Sequence, residues 1–465
     1  MRENLVALMR AGETLFPGII GFERTVLPQI ENAILARHNF ILLGLRGQAK
    51  TRLLRLLSRF LDEALPVVAG SEINDDPFAP VSRYARRLVE ERGPETPIEW
   101  LPREQRYVEK LATPDVNVAD LIGDVDPMKV MSRKLSLSDE DAIHFGLVPR
   151  ANRGIFAINE LPDLSARIQV ALLNILEERD IQIRGFPVRL PLDIVLVFTA
   201  NPEDYTNRGS IITPLKDRIE AQILTHYPQS LEDSVRITDQ EAWIDRGAGR
   251  AIVVPDYIRQ SLERVAFEAR ASDYIDQQSG VSARMTIALL ETLYSNVERR
   301  MFRAGEERAV ARISDLFSSA SAITGKVELV FKGEQEGVSN VAQALIGSAV
   351  RTTFNHVFIP NFRPGSRQKP EREIFAETVA WFEEGRHVDI YDDMAESEYA
   401  GALARIPGLK KTTSEYMKPP REQLPAAMGF VLEGLVQHFM IGKKVLGQMT
   451  IYRDALRDNW EEMTD

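Results

Sequence analysis

The segment Gly44-Leu-Arg-Gly-Gln-Ala-Lys50-Thr51 stands between an apolar run, Phe40 to Leu43, and an amphipathic stretch carrying Leu53, Leu54, Leu56, Leu57, Phe60 and Leu61. Strand, tight loop and helix in that order aim backbone N–H groups and the positive end of the helix dipole at one point, which an anionic phosphate can occupy. In such a loop Lys50 reaches the β- and γ-phosphates of a nucleotide and the Thr51 hydroxyl holds Mg²⁺. Ala49 stands where the pattern G-x-x-x-x-G-K-[ST] has its second glycine. Its methyl group restricts the backbone without forbidding the loop to wrap a phosphate. An ordinary strand-to-helix turn with an incidental lysine shares this local pattern, so the rest of the chain has to decide.

Two further runs extend the pattern. Gly154-Ile-Phe-Ala-Ile-Asn159-Glu160-Leu161 reads as a buried strand ending in two polar residues. A carboxylate at such a strand end can take a proton from an attacking water, the role Glu160 suits. Asn159 can accept a hydrogen bond from metal-bound water but adds no negative charge to a Mg²⁺ shell. Asp193-Ile-Val-Leu-Val-Phe-Thr-Ala-Asn201-Pro is a second buried strand with a polar end, and Asn201 there can orient a water or contact a γ-phosphate. Between them, alternation on both sides of Gly185 predicts a β-hairpin over 177–190.

Short apolar runs alternate with helical patterns from Phe40 to about Tyr227, which predicts an α/β domain with a parallel sheet. The expected strands are 40–43, 67–71, 154–158, 194–199 and 222–224, with helices at 51–64, 80–91 and 165–178. After Tyr227-Pro228 the pattern turns helical, at 231–245, 255–268, 283–302 and 307–322, which predicts an all-helical second domain. A Gly/Glu-rich break at 332–337 opens a mostly helical third region, with helices at 340–350, 371–384 and 424–441 and a loop over Pro360–Lys369. The expected domains are therefore 1–228, 229–330 and 331–465, the last without an assigned role. The apolar segment Ala426 to Gly442 contains Glu433, Gln437 and His438, so it reads as a buried or partner-facing helix.

Composition narrows the chemistry. The 465 residues hold no cysteine, which removes disulfides, thiolate metal sites and cysteine nucleophiles. The six histidines lack i, i+4 pairing, so a histidine metal site has no sequence support. Fifty-seven Lys and Arg against 68 Asp and Glu give a net charge of −11, which argues against a chain built to coat nucleic acid. No stretch approaches 18 uninterrupted apolar residues and the N-terminus lacks an apolar leader, so a cytoplasmic protein with no membrane span is expected.

The order of phosphate loop, NE-ended strand, helix, hairpin and Asn-ended strand resembles AAA+ ATPases of the clade with a hairpin before the sensor strand. Within it the chain is most similar to the ATPase (I) subunit of magnesium chelatase and MoxR-type relatives. Phe16-Pro-Gly-Ile-Ile-Gly21, Asn74-Asp-Asp-Pro-Phe78, Asp120-Leu-Ile-Gly123-Asp and Gly146-Leu-Val-Pro-Arg-Ala-Asn152-Arg-Gly154 carry that finer likeness. It covers roughly residues 15–325 and fades beyond about 335.

The resemblance implies an AAA+ P-loop domain followed by a helical lid, with ATP and Mg²⁺ as cofactors. Gly44, Leu45, Arg46, Gly47, Gln48, Ala49, Lys50 and Thr51 become Walker A, and Arg52 and Ile20 join the nucleotide contacts. Asn159 and Glu160 become Walker B, with Thr51 and Asn159 on the metal. Asn201 becomes sensor 1, Arg284 at a helix start sensor 2, and Arg218 in Pro214-Leu-Lys-Asp-Arg218 an arginine finger. It further implies a homo-oligomer, a hexameric ring, acting on a protein with a von Willebrand factor A domain. Arg133, Lys134 and the run Ser136–Glu140 would sit in an insert facing the ring pore. Three alternatives stay open: the magnesium chelatase subunit itself, a non-hydrolysing nucleotide-dependent scaffold, and a nucleic-acid motor using Arg184 and Arg189 on the hairpin.

Overall fold

The structure, a computed structural model, describes residues 1–133, 140–183, 189–202, 210–247, 251–359 and 373–455. The chain divides into two compact units, Met1–Tyr227 and Pro228–Asp465.

The first unit is built on five parallel strands: β1 Phe40–Leu43, β2 Tyr107–Leu111, β3 Gly154–Asn159, β4 Ile194–Ala200 and β5 Ala221–Leu224. Their spatial order is β5-β1-β4-β3-β2. Register pairs Phe40 with Val197, Ile194 with Gly154, and Leu111 with Asn159. Every residue of β1 and β3 is buried, as a parallel sheet covered on both faces requires. Alternate residues then divide between two cores. Ile41, Leu43, Phe156, Ile158, Leu196 and Phe198 share one with Ile168, Leu172 and Ile175 of the helix Ala166–Glu178. Phe40, Leu42, Ile155, Ala157 and Val197 share the other with Leu53, Leu54, Leu57 and Phe60.

The strand expected at 67–71 is displaced and does not join this sheet. Ala64–Val68 pairs antiparallel with Ile98–Pro102 in a separate ribbon, and Tyr107–Leu111 takes the edge place in the sheet. The helix expected at 51–64 ends early, as Lys50–Leu56 (α1) followed by a 3₁₀ turn through Phe60. The hairpin is present as Asp180–Gln182 against Arg189–Pro191. Arg184, Phe186 and the side chain of Arg189 lie outside the described residues, as do Lys134, Ser136–Asp139, the side chain of Arg133 and the loop Pro360–Lys369.

The second unit is mostly helical, with α2 Asp256–Ala271, α3 Arg284–Ala304, α4 Val338–Phe358 and α5 Leu424–Gln437 as its longest elements. One buried core runs through it from Ile258 to Tyr452, so side chains on both sides of residue 330 meet in it. The helix expected at 307–322 is broken into a strand Arg308–Val310 and short helices Ile313–Phe317 and Ser321–Thr324. That strand pairs with Ala251–Val253, a β element in the stretch expected to be all-helical. A three-stranded antiparallel sheet, Val388–Tyr391, Gly442–Leu446 and Met449–Arg453, adds to the expected helices near the C-terminal end. The apolar segment after Ala426 is buried through Leu435, whereas Phe439 beyond the helix is exposed. Its Glu433, 1% exposed, is held by Lys443 Nζ at 2.9 Å.

Candidate nucleotide site

β1, β4 and β3 are neighbours in the sheet and end at the same edge, the edge where parallel α/β sheets place ligands. The loop 44–49 leaves β1 there, Asn201 follows β4, and Glu160 follows β3.

The loop needs its glycine at 44. A Cβ at that position would lie 1.9 Å from Thr225 Oγ1 and 2.1 Å from Gln48 Oε1. Both partners are buried, and the Thr225 hydroxyl lies 2.6 Å from Gln48 Oε1, bracing the loop from behind. The Tyr227 hydroxyl adds a bond to Arg46 O at 3.0 Å. Gly47 has φ 73° and Ala49 has φ 55°, so the loop twice enters the left-handed region. At Ala49 an L side chain occupies a conformation that favours glycine, at a cost of ~1 kcal/mol or more. The turn then delivers Lys50 as the first residue of α1, 8% exposed.

Lys50 Nζ donates to Gly44 O, to Leu45 O at 3.0 Å and to Asn201 Oδ1 at 2.6 Å. Asn201 Nδ2 in turn donates to Glu160 Oε2 at 3.0 Å. One amide thus joins the loop lysine to the carboxylate two strands away. Glu160 has φ 56° and ψ 52°, a left-handed backbone for a non-glycine residue, and its N–H is held by Thr199 Oγ1 at 3.1 Å. Strain of this kind concentrates where a side chain must be aimed at a site.

On the other side of Lys50, the Thr51 hydroxyl points at Asn159 Oδ1 at 3.4 Å, and the Thr199 hydroxyl reaches the same oxygen at 3.2 Å. Asn159 Nδ2 donates to Glu109 Oε1 at 2.8 Å. Glu109, on β2, also accepts from Arg55 Nε at 2.8 Å, and Arg55 lies one helical turn after Thr51 on α1. Burial first, and then the Glu109 charge, pushes the Tyr107 hydroxyl well above the usual phenol range. Sequence reading missed Glu109. Its strand is a polar-faced edge strand, and its link to Asn159 exists only through the β2–β3 register.

The remaining expected residues fall into four places. Ile20 is half buried in the segment 16–22, whose Phe16, Ile19 and Phe22 enter the core that also contains Leu53 and Leu54. Just after that segment, Thr25 Oγ1 and His226 Nε2 lie 2.7 Å apart and tie the chain there to the stretch following β5. Arg46 and Arg52 are exposed on the loop and on α1. Arg218 ends the helix Thr213–Arg218 and pairs with Glu177 at 2.7 Å, its side chain 29% exposed. Arg284 is exposed at the start of α3 in the second unit.

These groups fit Mg·ATP. Hydroxyl, amide and carboxylate oxygens are the hard donors Mg²⁺ takes, together with phosphate and water, so no all-protein cage is needed. Among the described residues no cluster of three or more His, Cys, Asp or Glu could hold a metal alone. No described helix is long and apolar enough to cross a membrane.

Residues 98–219 match the AAA domain family, dynein-related subfamily. The 38 kDa subunit of magnesium chelatase from Rhodobacter capsulatus is 25% identical over 263 residues, which are 54% of this chain and 69% of the relative. Its counterpart from Cereibacter sphaeroides is 27% identical over 238 residues, 49% of this chain and 64% of the relative. The chain thus spans about two thirds of the length of these relatives. Among solved structures, a chain of the complex between subunits BchI and BchD of magnesium chelatase aligns over 69% of this chain and 98% of its own, at 19% identity and a TM-score of 0.36.

Proposed function

We propose that this chain, an AAA+ protein resembling the ATPase subunit of magnesium chelatase, binds and hydrolyses Mg·ATP and works as a ring that remodels or loads a partner protein. The observation that supports the reading is the Asn201 bridge between Lys50 and Glu160, one amide touching both the loop lysine and the strand-end carboxylate.

Lys50 and the N–H groups of the loop hold the β- and γ-phosphates, with Arg46, Gln48 and Arg52 around them and Ile20 on the nucleotide side of the N-terminal segment. Thr51 and Asn159 hold the metal, which when bound neutralises charge on the phosphate oxygens. Asn201 orients the attacking water, and Glu160 takes its proton. Arg284 contributes a second cation as sensor 2. Arg218 completes a neighbour's site, which requires an oligomer. Its pair with Glu177 is partly exposed, so opening it costs about 1 kcal/mol or less. The partner is a protein bearing a von Willebrand factor A domain, as the resemblance to the chelatase ATPase subunit implies.

Asn159 favours one rival, a scaffold that binds ATP but scarcely turns it over, because the metal shell lacks an acidic ligand at that position. Steady-state phosphate release separates the two. The motor reading expects sustained release by the wild-type protein and its loss in Glu160→Gln with nucleotide binding kept. Binding without release in the wild type would leave the scaffold.

A further inference from the structure

The metal side of the site carries an amide where a carboxylate would do more, and an amide has a direction. Asn159 can present either Oδ1 or Nδ2 to the Thr51 hydroxyl, and only Oδ1 can accept from that hydroxyl or from metal-bound water. Glu109 decides between them. An ionised carboxylate only accepts, so the group 2.8 Å from it must be Nδ2, and Oδ1 is then turned toward Thr51 at 3.4 Å and Thr199 at 3.2 Å. A flipped amide would set its oxygen against the carboxylate and its N–H₂ against the metal side. Arg55 and the Tyr107 hydroxyl, at 2.8 and 3.3 Å, hold Glu109 in turn. Because Arg55 shares α1 with Thr51, the chain Thr51–Asn159–Glu109–Arg55 closes on itself.

We propose that Glu109 is a positioning residue for metal binding, which locks the Asn159 amide with its oxygen toward Thr51 and so lets a neutral side chain serve in the Mg²⁺ shell. This rests on the reading of Lys50, Thr51 and Asn159 as a Mg·ATP site. The plain alternative is that Glu109 merely clamps α1 to β2 through its ion pair with Arg55. The two differ in whether the effect of Glu109 passes through Asn159.

The side-chain amide introduced by Glu109→Gln can donate as well as accept, so the Asn159 amide opposite loses its fixed direction. The experiment is a double-mutant cycle read by the Mg²⁺ concentration that half-restores binding of a fluorescent ATP analogue, with binding in EDTA and thermal stability recorded alongside. Glu109→Gln should raise the half-saturating Mg²⁺ roughly tenfold, the worth of about one charge-assisted hydrogen bond, while binding in EDTA stays unchanged. In the Asn159→Ala background the same substitution should change it less than about twofold, since no amide remains to orient. Wild-type Mg²⁺ dependence in Glu109→Gln, or an equal shift in both backgrounds, overturns the inference and leaves the clamp. A wild-type protein whose ATP binding ignores Mg²⁺ altogether overturns the reading of Thr51 and Asn159 as metal-holding residues, and this inference with it, while the phosphate contact of Lys50 is tested separately by Lys50→Ala.

Discussion

Ala49→Gly should make the first unit more stable, although it removes a side chain. Ala49 has φ 55° and ψ 15°, a left-handed conformation imposed by the turn that starts α1. An L residue there costs ~1–2 kcal/mol through the approach of Cβ to the following carbonyl. Glycine escapes that cost but has a more disordered unfolded chain, which takes back about 0.4–1 kcal/mol. Ala49 is exposed, so the methyl group contributes no burial to lose. The balance is a gain of about 0.5–1 kcal/mol, a rise of roughly 1–4 °C in the midpoint of a unit this size. Urea titration checks it best, with the midpoint followed by a probe in residues 1–227, because two compact units need not melt together. Ala49→Val supplies the opposite sign, since a β-branched side chain tolerates positive φ poorly. A glycine variant no more stable than wild type would show that the loop does not store this strain.

Gly44→Ala should lose about 1–3 kcal/mol and weaken nucleotide binding, because its methyl group would meet the buried Thr225 and Gln48; calorimetric melting and ATP titration read both effects. Arg218→Ala and Lys50→Ala, each inactive alone, should regain hydrolysis when mixed, since trans-acting arginines are worth on the order of 10³-fold. If mixed oligomers demonstrably form and no activity returns at any ratio, Arg218 does not act across a boundary.

What the sequence showed and hid follows from burial. β1, β3 and β4 announced themselves because strands covered on both faces are continuous apolar runs, and their polar ends, Asn159, Glu160 and Asn201, came with them. β2 stayed hidden because an edge strand reading Tyr-Val-Glu-Lys-Leu has no such run, and Glu109 was lost with it. The displaced strand near residue 67 is apolar enough to resemble a sheet member, yet it pairs in a ribbon that pattern alone cannot tell from the sheet. The strands at 388–391 and 442–453 were read past because alternating polar residues such as Asp389, Lys443 and Thr450 give short strands little apolar signal. The network joining Thr51, Asn159, Glu109 and Arg55 spans three elements, and no local pattern contains it.

The most direct measurement is calorimetric titration of Mg·ATP into the wild-type protein and into Lys50→Ala. Lys50 donates to two loop carbonyls and to Asn201 from a nearly buried position, so its removal takes away the cation the site is built around. Saturable binding to the wild type and a loss of affinity of at least about tenfold in Lys50→Ala is the result this account predicts. Equal Mg·ATP affinity in the two proteins would contradict it, for the loop after β1 would then not be where the nucleotide sits.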